Sequence, residues 1–170
     1  MKKHLSPLLL NVGFVAQQSI GYSREFYFQY PSIELKPGFC VVDLEGKITL
    51  FRTSEGLLAR GKFLGMVDAT CGRCLTTFKL KLEIDFTELI AFPAHVNEDT
   101  EMIYPEDGQI DFTPVVGEYL ELEIPIKPIC KQDCKGLCTI CGNNLNIKNC
   151  VHDEEPIDPR LEVLKSLLDE

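Results

Sequence analysis

The 170 residues contain no tryptophan. They also contain no apolar run of the ~18 residues that a bilayer-crossing helix needs, so no transmembrane helix is expected. Residues 82–126 hold twelve Asp and Glu and no Lys or Arg. H-E-x-x-H, G-x-x-x-x-G-K-[ST] and G-x-S-x-G are all missing, and the three glycines of GLLARGKFLG lack phosphate-binding spacing. Nothing here marks an enzyme or a small-molecule substrate.

Charge narrows the class of partner. The net charge is −9, and the broad field is negative. A nucleic-acid binder usually shows a dominant basic face. Here the acidic middle would repel a phosphate backbone at long range, so a basic protein partner fits better. A merely solvated acidic surface is the plainer account. Four lysines (Lys127, Lys131, Lys135 and Lys148) return in the 127–150 stretch.

The opening MKKHLSPLLLNVGFVAQQ resembles a weak export signal, but Pro7, Asn11 and Gly13 interrupt it and no small-x-small cleavage site follows. A first strand of the domain, in a cytoplasmic protein, is the expectation.

The first two thirds read as β structure. In FKLKLEIDFTE, Phe78, Leu80, Leu82, Ile84 and Phe86 alternate with polar residues, the period of a half-buried strand. FCVVDLEGKITLFRT predicts a hairpin turning at Glu45-Gly46. GLLARGKFLGMVDATC predicts a strand delivering Cys71, with a bulge or bend at Gly61 and Gly65. Residues 93–108 read as a polar, acidic loop. Thr113 and Pro114 predict an N-cap and first turn. Val115, Val116, Tyr119, Leu120 and Ile124 then share a helical face to about Pro125. In the tail, DPRLEVLKSLLDE predicts a short helix with a stripe of Leu161, Leu164, Leu167 and Leu168. That helix must dock on something.

The expected fold is a β-rich α+β unit, an antiparallel meander or small β-barrel. Residues 1–127 form the β-rich part with a helix near 113–124. Residues 128–152 form a cysteine-rich, zinc-ribbon-like segment, and 158–168 a terminal helix. All belong to one folding unit.

The cysteines carry the chemistry. Five of eight lie between 128 and 152 and two in CGRCL at 71–75. Disulfides need an oxidising compartment, and buried apolar thiols have no reason to cluster at gaps of two and three residues. Metal ligands do. Cys71-x2-Cys74, Cys130-x3-Cys134, Cys138-x2-Cys141 and Cys150-x-His152 supply eight donors, enough for two zinc sites. The local solution joins Cys138, Cys141, Cys150 and His152, leaving Cys71, Cys74, Cys130 and Cys134 to staple the β domain to the C-terminal segment. An exchange that moves Cys134 to the second site stays open. With four protein donors each, the sites look closed, which favours structural zinc. Cys40, in an apolar run, reads as a small buried core residue. His4 and His95 stand alone.

The run CKQDCKGLCTICGNNLN resembles the C-terminal signature of the YceD family, the large ribosomal RNA subunit accumulation proteins of bacteria and plastids. CGRCL, DGQIDFTPVVGEYLELEIPIKPIC and DPRLEVLKSLL are similar to its other anchors, in order, over roughly residues 60–168. The first 55 residues agree only in β character. The resemblance implies a role in large-subunit biogenesis, supporting 23S rRNA accumulation. It implies a pre-50S particle as the setting, with a basic large-subunit ribosomal protein or 23S rRNA as partner. The family's gene often neighbours that of a zinc-binding large-subunit protein. Some members keep only the upstream pair and a reduced 130–134 pair, which implies that these form the common site. Cys150-x-His152 departs from the family's usual Cys-x-Cys.

Two contact sets follow from charge. The acidic stretch, including Glu118, Glu121 and Glu123, could hold a basic ribosomal protein. Lys127, Lys131, Lys135 and Lys148 could instead touch RNA. Two other classes stay open. One is a rubredoxin-like redox iron protein, since C-x-x-C-G knuckles also hold iron. The other is a zinc-stapled interaction module with no ribosomal role.

Overall fold

The structure, a computed structural model, describes residues 6–98 and 100–152. The expected helix at 158–168 lies outside the described residues.

Long strands dominate. β1 (Leu9–Asn11) and the single turn α1 (Gly13–Ala16) lead into β2 (Ser23–Lys36), β3 (Phe39–Arg52), β4 (Gly56–Thr70) and β5 (Thr77–Ala91). A 3-10 turn (Pro93–His95), β6 (Met102–Ile103), β7 (Gln109–Asp111) and α2 (Thr113–Leu122) complete the order. The main sheet runs β2-β3-β4-β5-β6. It is antiparallel except for β6, which pairs parallel to β5 at Ile90 and Ala91. β1 pairs antiparallel with β7. The sheet is an open meander among the described residues, not a closed barrel.

Alternation decides which face is core. Leu82, Ile84 and Phe86 of β5 are buried while Lys81, Glu83 and Asp85 are exposed. Leu44, Ile48 and Leu50 of β3 and Leu57, Ala59 and Phe63 of β4 join them. Val116 and Leu120 of α2, with Leu8, Val12 and Val15 of the N-terminal segment, close this layer. The face expected for the helix is the face that packs.

Several local expectations are corrected. Residues 39–52 form one strand rather than a hairpin at Glu45-Gly46. The turn is at Pro37-Gly38 instead, where Gly38 has φ +81°, a backbone that favours glycine. Gly46 is demanded by close approach: a Cβ there would stand 2.3 Å from the Lys62 carbonyl oxygen and 2.5 Å from the Phe63 ring. No bulge interrupts the β4–β5 pairing at Gly61 or Gly65. The irregularity sits across from Gly65, on β3 between Val42 and Glu45. Cys40 is exposed, because the alternation that buries Val41 turns its neighbour outward. Thr113 is not the cap. It is the first helical residue, buried, and its Oγ1 accepts the Leu8 amide at 3.2 Å. Asp111 accepts the Thr113 amide at 2.9 Å. The helix stops at Leu122, and the 93–108 stretch contributes β6 to the sheet edge.

Candidate metal centre

β4 and β5 keep their register up to the pair Thr70 and Thr77, so CGRCLT is the tip of a long hairpin. The Cys71 amide donates to the Thr76 carbonyl at 3.0 Å, and the Leu75 amide to the Cys71 carbonyl at 3.0 Å. Leu75 takes φ +56° to close this knuckle. The Gly72 amide donates to the Pro128 carbonyl at 2.8 Å, which brings the chain leading to Cys130 alongside the tip. Gly136, at φ +76°, passes 3.3 Å from the Arg73 carbonyl oxygen as measured from the Cβ it lacks. Arg73 Nη1 donates to the Cys134 carbonyl at 3.2 Å. Two segments more than fifty positions apart are thereby docked.

Cys71, Cys74, Cys130 and Cys134 meet in this joint, with their sulfurs all within 4.8 Å of one another. Cys71 and Cys134 are 3.8 Å apart, Cys74 and Cys130 3.7 Å. A disulfide needs about 2.05 Å, and all eight cysteines are free. Zinc–sulfur bonds of about 2.3 Å in a tetrahedron imply sulfur–sulfur edges of about 3.8 Å. The donor set therefore fits a four-coordinate ion. Three of the four thiols are buried, with Phe78 and Leu137 packed around them.

The second group is more open. Cys138, Cys141, Cys150 and His152 also have donors within 4.8 Å, and Cys141 is exposed. Cys141 and Cys150 are 3.8 Å apart, and Cys138 Sγ lies 3.2 Å from His152 Nε2. The Gly142 amide donates to the Cys138 carbonyl at 2.9 Å, with Gly142 at φ +71°. This is the knuckle that the C-x-x-C-G spacing predicts. Cys134 sits with the first group, so the local partition is the one the geometry adopts.

Thiol acidity splits inside each group. Cys71 is drawn down to about 6, first by the Cys130 backbone amide and then by that of Cys74. Cys130 is pushed up to about 12, first by burial and then by its bond to Cys74. Cys138 falls to about 6 through the backbone amides of Cys141 and Ile140, while Cys150 rises to about 11 through Cys138. Amides preform some thiolates, and the crowding then opposes the rest. A bound cation removes that opposition, because coordinating thiols are deprotonated outright.

Two asparagines to which the sequence assigns no role brace the first group. Asn146 Nδ2 donates to Cys134 Sγ at 3.4 Å, and its Oδ1 accepts the Lys135 amide at 3.0 Å. Asn144 Nδ2 donates to Thr76 Oγ1 at 3.0 Å, and Thr76 Oγ1 accepts from Cys74 Sγ at 3.4 Å. The signal was present in the Asn-x-Asn of NNLNIKN, directly after the second knuckle. Replacing Asn146 with Ala is expected to weaken metal retention at the first group by roughly 10- to 100-fold, the usual cost of losing a partner of a ligand. Competition with a chromogenic chelator measures this.

The other candidates are dispersed. Lys127, Lys131, Lys135 and Lys148 are exposed around the cysteine segment, and Lys131 lies 3.7 Å from Asp133. The three helix carboxylates point apart. Glu121 pairs with Lys36 at 2.8 Å, Glu123 ends α2, and Glu118 lines a groove beside β6.

Known proteins place this arrangement. The family described as "Large ribosomal RNA subunit accumulation protein YceD" matches residues 59–168, which cover most of β4, all of β5 and α2, and both thiol groups. The chain belongs to the YceD family. An uncharacterized protein of Mycobacterium tuberculosis is 34% identical over 119 residues, 68% of this chain and 57% of the relative. The uncharacterized protein YlbN of Bacillus subtilis is 34% identical over 101 residues, 58% of each chain. Large ribosomal RNA subunit accumulation protein YCED homolog 1, chloroplastic, of Arabidopsis thaliana is 36% identical over 67 residues, 39% of this chain and 17% of the plant protein. The chain thus spans little more than half the length of the bacterial relatives. No solved structure matches. Among the described residues, no helix is long and apolar enough to cross a membrane.

Proposed function

We propose that this YceD-family chain is a non-enzymatic, cytoplasmic factor in large ribosomal subunit biogenesis that supports 23S rRNA accumulation. In this reading zinc fills both donor groups as a structural ion. The observation that carries it is the first thiol group. It lies inside the family-matched stretch and joins the β4–β5 tip to the 128–152 segment with four protein donors. Bound zinc would supply a fixed cross-link between segments that share little apolar packing. Cys71, Cys74, Cys130 and Cys134 would hold one ion, and Cys138, Cys141, Cys150 and His152 the other. The partner is sought on the pre-50S particle, as a basic ribosomal protein or 23S rRNA.

Depletion of the protein from cells is the test, read as the ratio of 23S to 16S rRNA. The ratio is expected to fall and to be restored by the wild-type chain but not by Cys71→Ser/Cys74→Ser. An unchanged ratio on depletion would refute the proposal.

A further inference from the structure

α2 buries Val116 and Leu120, and a neighbouring stripe runs from half-buried at the core edge to exposed at Leu122. Val115, Tyr119 and Leu122 follow on it at helical spacing. Met102 of β6 and Glu88 of β5 face this stripe across a groove of about 380 Å³. A neighbouring hollow of about 430 Å³ shares Glu88, Glu101 and Tyr119 with it and reaches Glu55. The floor is apolar, with Met102, Val115 and Tyr119 partly buried, and Leu122 at its open side is 82% exposed among the described residues. The rim is anionic. Glu55, Glu88, Glu101 and Glu118 make no ion pair among the described residues, although five such pairs form elsewhere. The Tyr119 hydroxyl donates to Glu88 at 2.7 Å, which holds that carboxylate in place.

We infer that this groove docks a basic segment of a partner protein that also carries an apolar side chain. Lysine or arginine would meet Glu88, Glu101 and Glu118, while the apolar group covers Leu122, Val115 and Met102. The choice of occupant follows from charge. A nucleic-acid backbone is repelled by the same carboxylates. The chain's own residues 153–170 hold seven Asp and Glu against two Lys and Arg, and a second copy would bring the same rim. The inference names the partner surface for the biogenesis role and rests on that reading only for where such a segment is met.

The probe is a fluorescein-labelled peptide of Lys-Leu-Arg-Phe repeats, titrated with the zinc-loaded full chain and followed by anisotropy. Glu101→Gln/Glu118→Gln is expected to weaken binding roughly tenfold, Leu122→Ser severalfold, and added salt progressively. Glu45→Gln/Glu83→Gln removes the same charge from the exposed outer face of the sheet and is expected to leave binding unchanged. All these positions are exposed, so unaltered thermal melts check the fold. Equal affinity for the wild type and Glu101→Gln/Glu118→Gln overturns the inference. So does a homodimer that Leu122→Ser dissolves, or tighter binding of a phosphate-rich oligonucleotide than of the peptide. The rRNA ratio involves none of these reagents, so the two proposals fail separately.

Discussion

A chain carrying Cys71→Ser and Cys74→Ser is expected to lose one metal equivalent and to release the 128–152 segment from the sheet. Little else holds that segment. The exposed Ile129, Ile140 and Ile147 contribute no core, and the cluster around the first group is mostly thiol. Among the described residues, the remaining ties are a few hydrogen bonds, such as Gly72 to Pro128, Arg73 to Cys134 and Asn144 to Thr76. Each contributes only about 1 kcal/mol net, whereas structural zinc contributes on the order of 10 kcal/mol to the fold it closes. Trypsin should therefore cut at Lys131 and Lys135 at least roughly tenfold faster in the variant. Cleavage of β2–β5 should stay slow, because their core lies elsewhere. Cys138→Ser/Cys141→Ser should lose the other equivalent without speeding cleavage at Lys131. Identical digestion of both variants would contradict the staple.

Phe63→Ala is expected to be the costliest core truncation, at about 3–5 kcal/mol. Phe63 is 2% exposed and sits in a file of rings that crosses the sheet. Phe28 lies 5.9 Å away on β2 and Phe86 6.4 Å away on β5, and Phe86 stacks on Tyr119 of α2 at 5.1 Å. Gly46 stands between Phe28 and Phe63 in the register and leaves their rings the space to meet. Truncation would leave a cavity between strands too firmly paired to collapse. Urea unfolding should show a lowered midpoint with an unchanged slope. A loss below about 1 kcal/mol would mean that the file does not organise the core.

The pairs that make up the two donor groups were legible because their spacing is local. Gaps of two and three residues place donors on one turn whatever the fold around them. The joining of Cys71 and Cys74 to Cys130 and Cys134 was reachable only by elimination. It depends on the β4–β5 register, which carries the tip to the Pro128 carbonyl. Strand character was legible wherever alternation was clean, as in β5. It failed at Glu45-Gly46, where a glycine required by the Phe63 ring carries the same local signal as a turn. Cys40 misled in a similar way, since an apolar run does not say which residue faces out. The acidic stretch read as one feature, but folding sorts its members. Glu121 finds Lys36, eighty-five positions away, while Glu88, Glu101 and Glu118 collect around one groove.

The structural role proposed for the cysteines depends on two separate zinc sites of four protein donors each, and native mass spectrometry of the purified protein counts them directly. Two zinc ions per wild-type chain are expected, falling to one in Cys71→Ser/Cys74→Ser and to one in Cys138→Ser/Cys141→Ser. A metal-free chain with disulfides, a visible-absorbing iron protein, or loss of both ions from either double variant would contradict it.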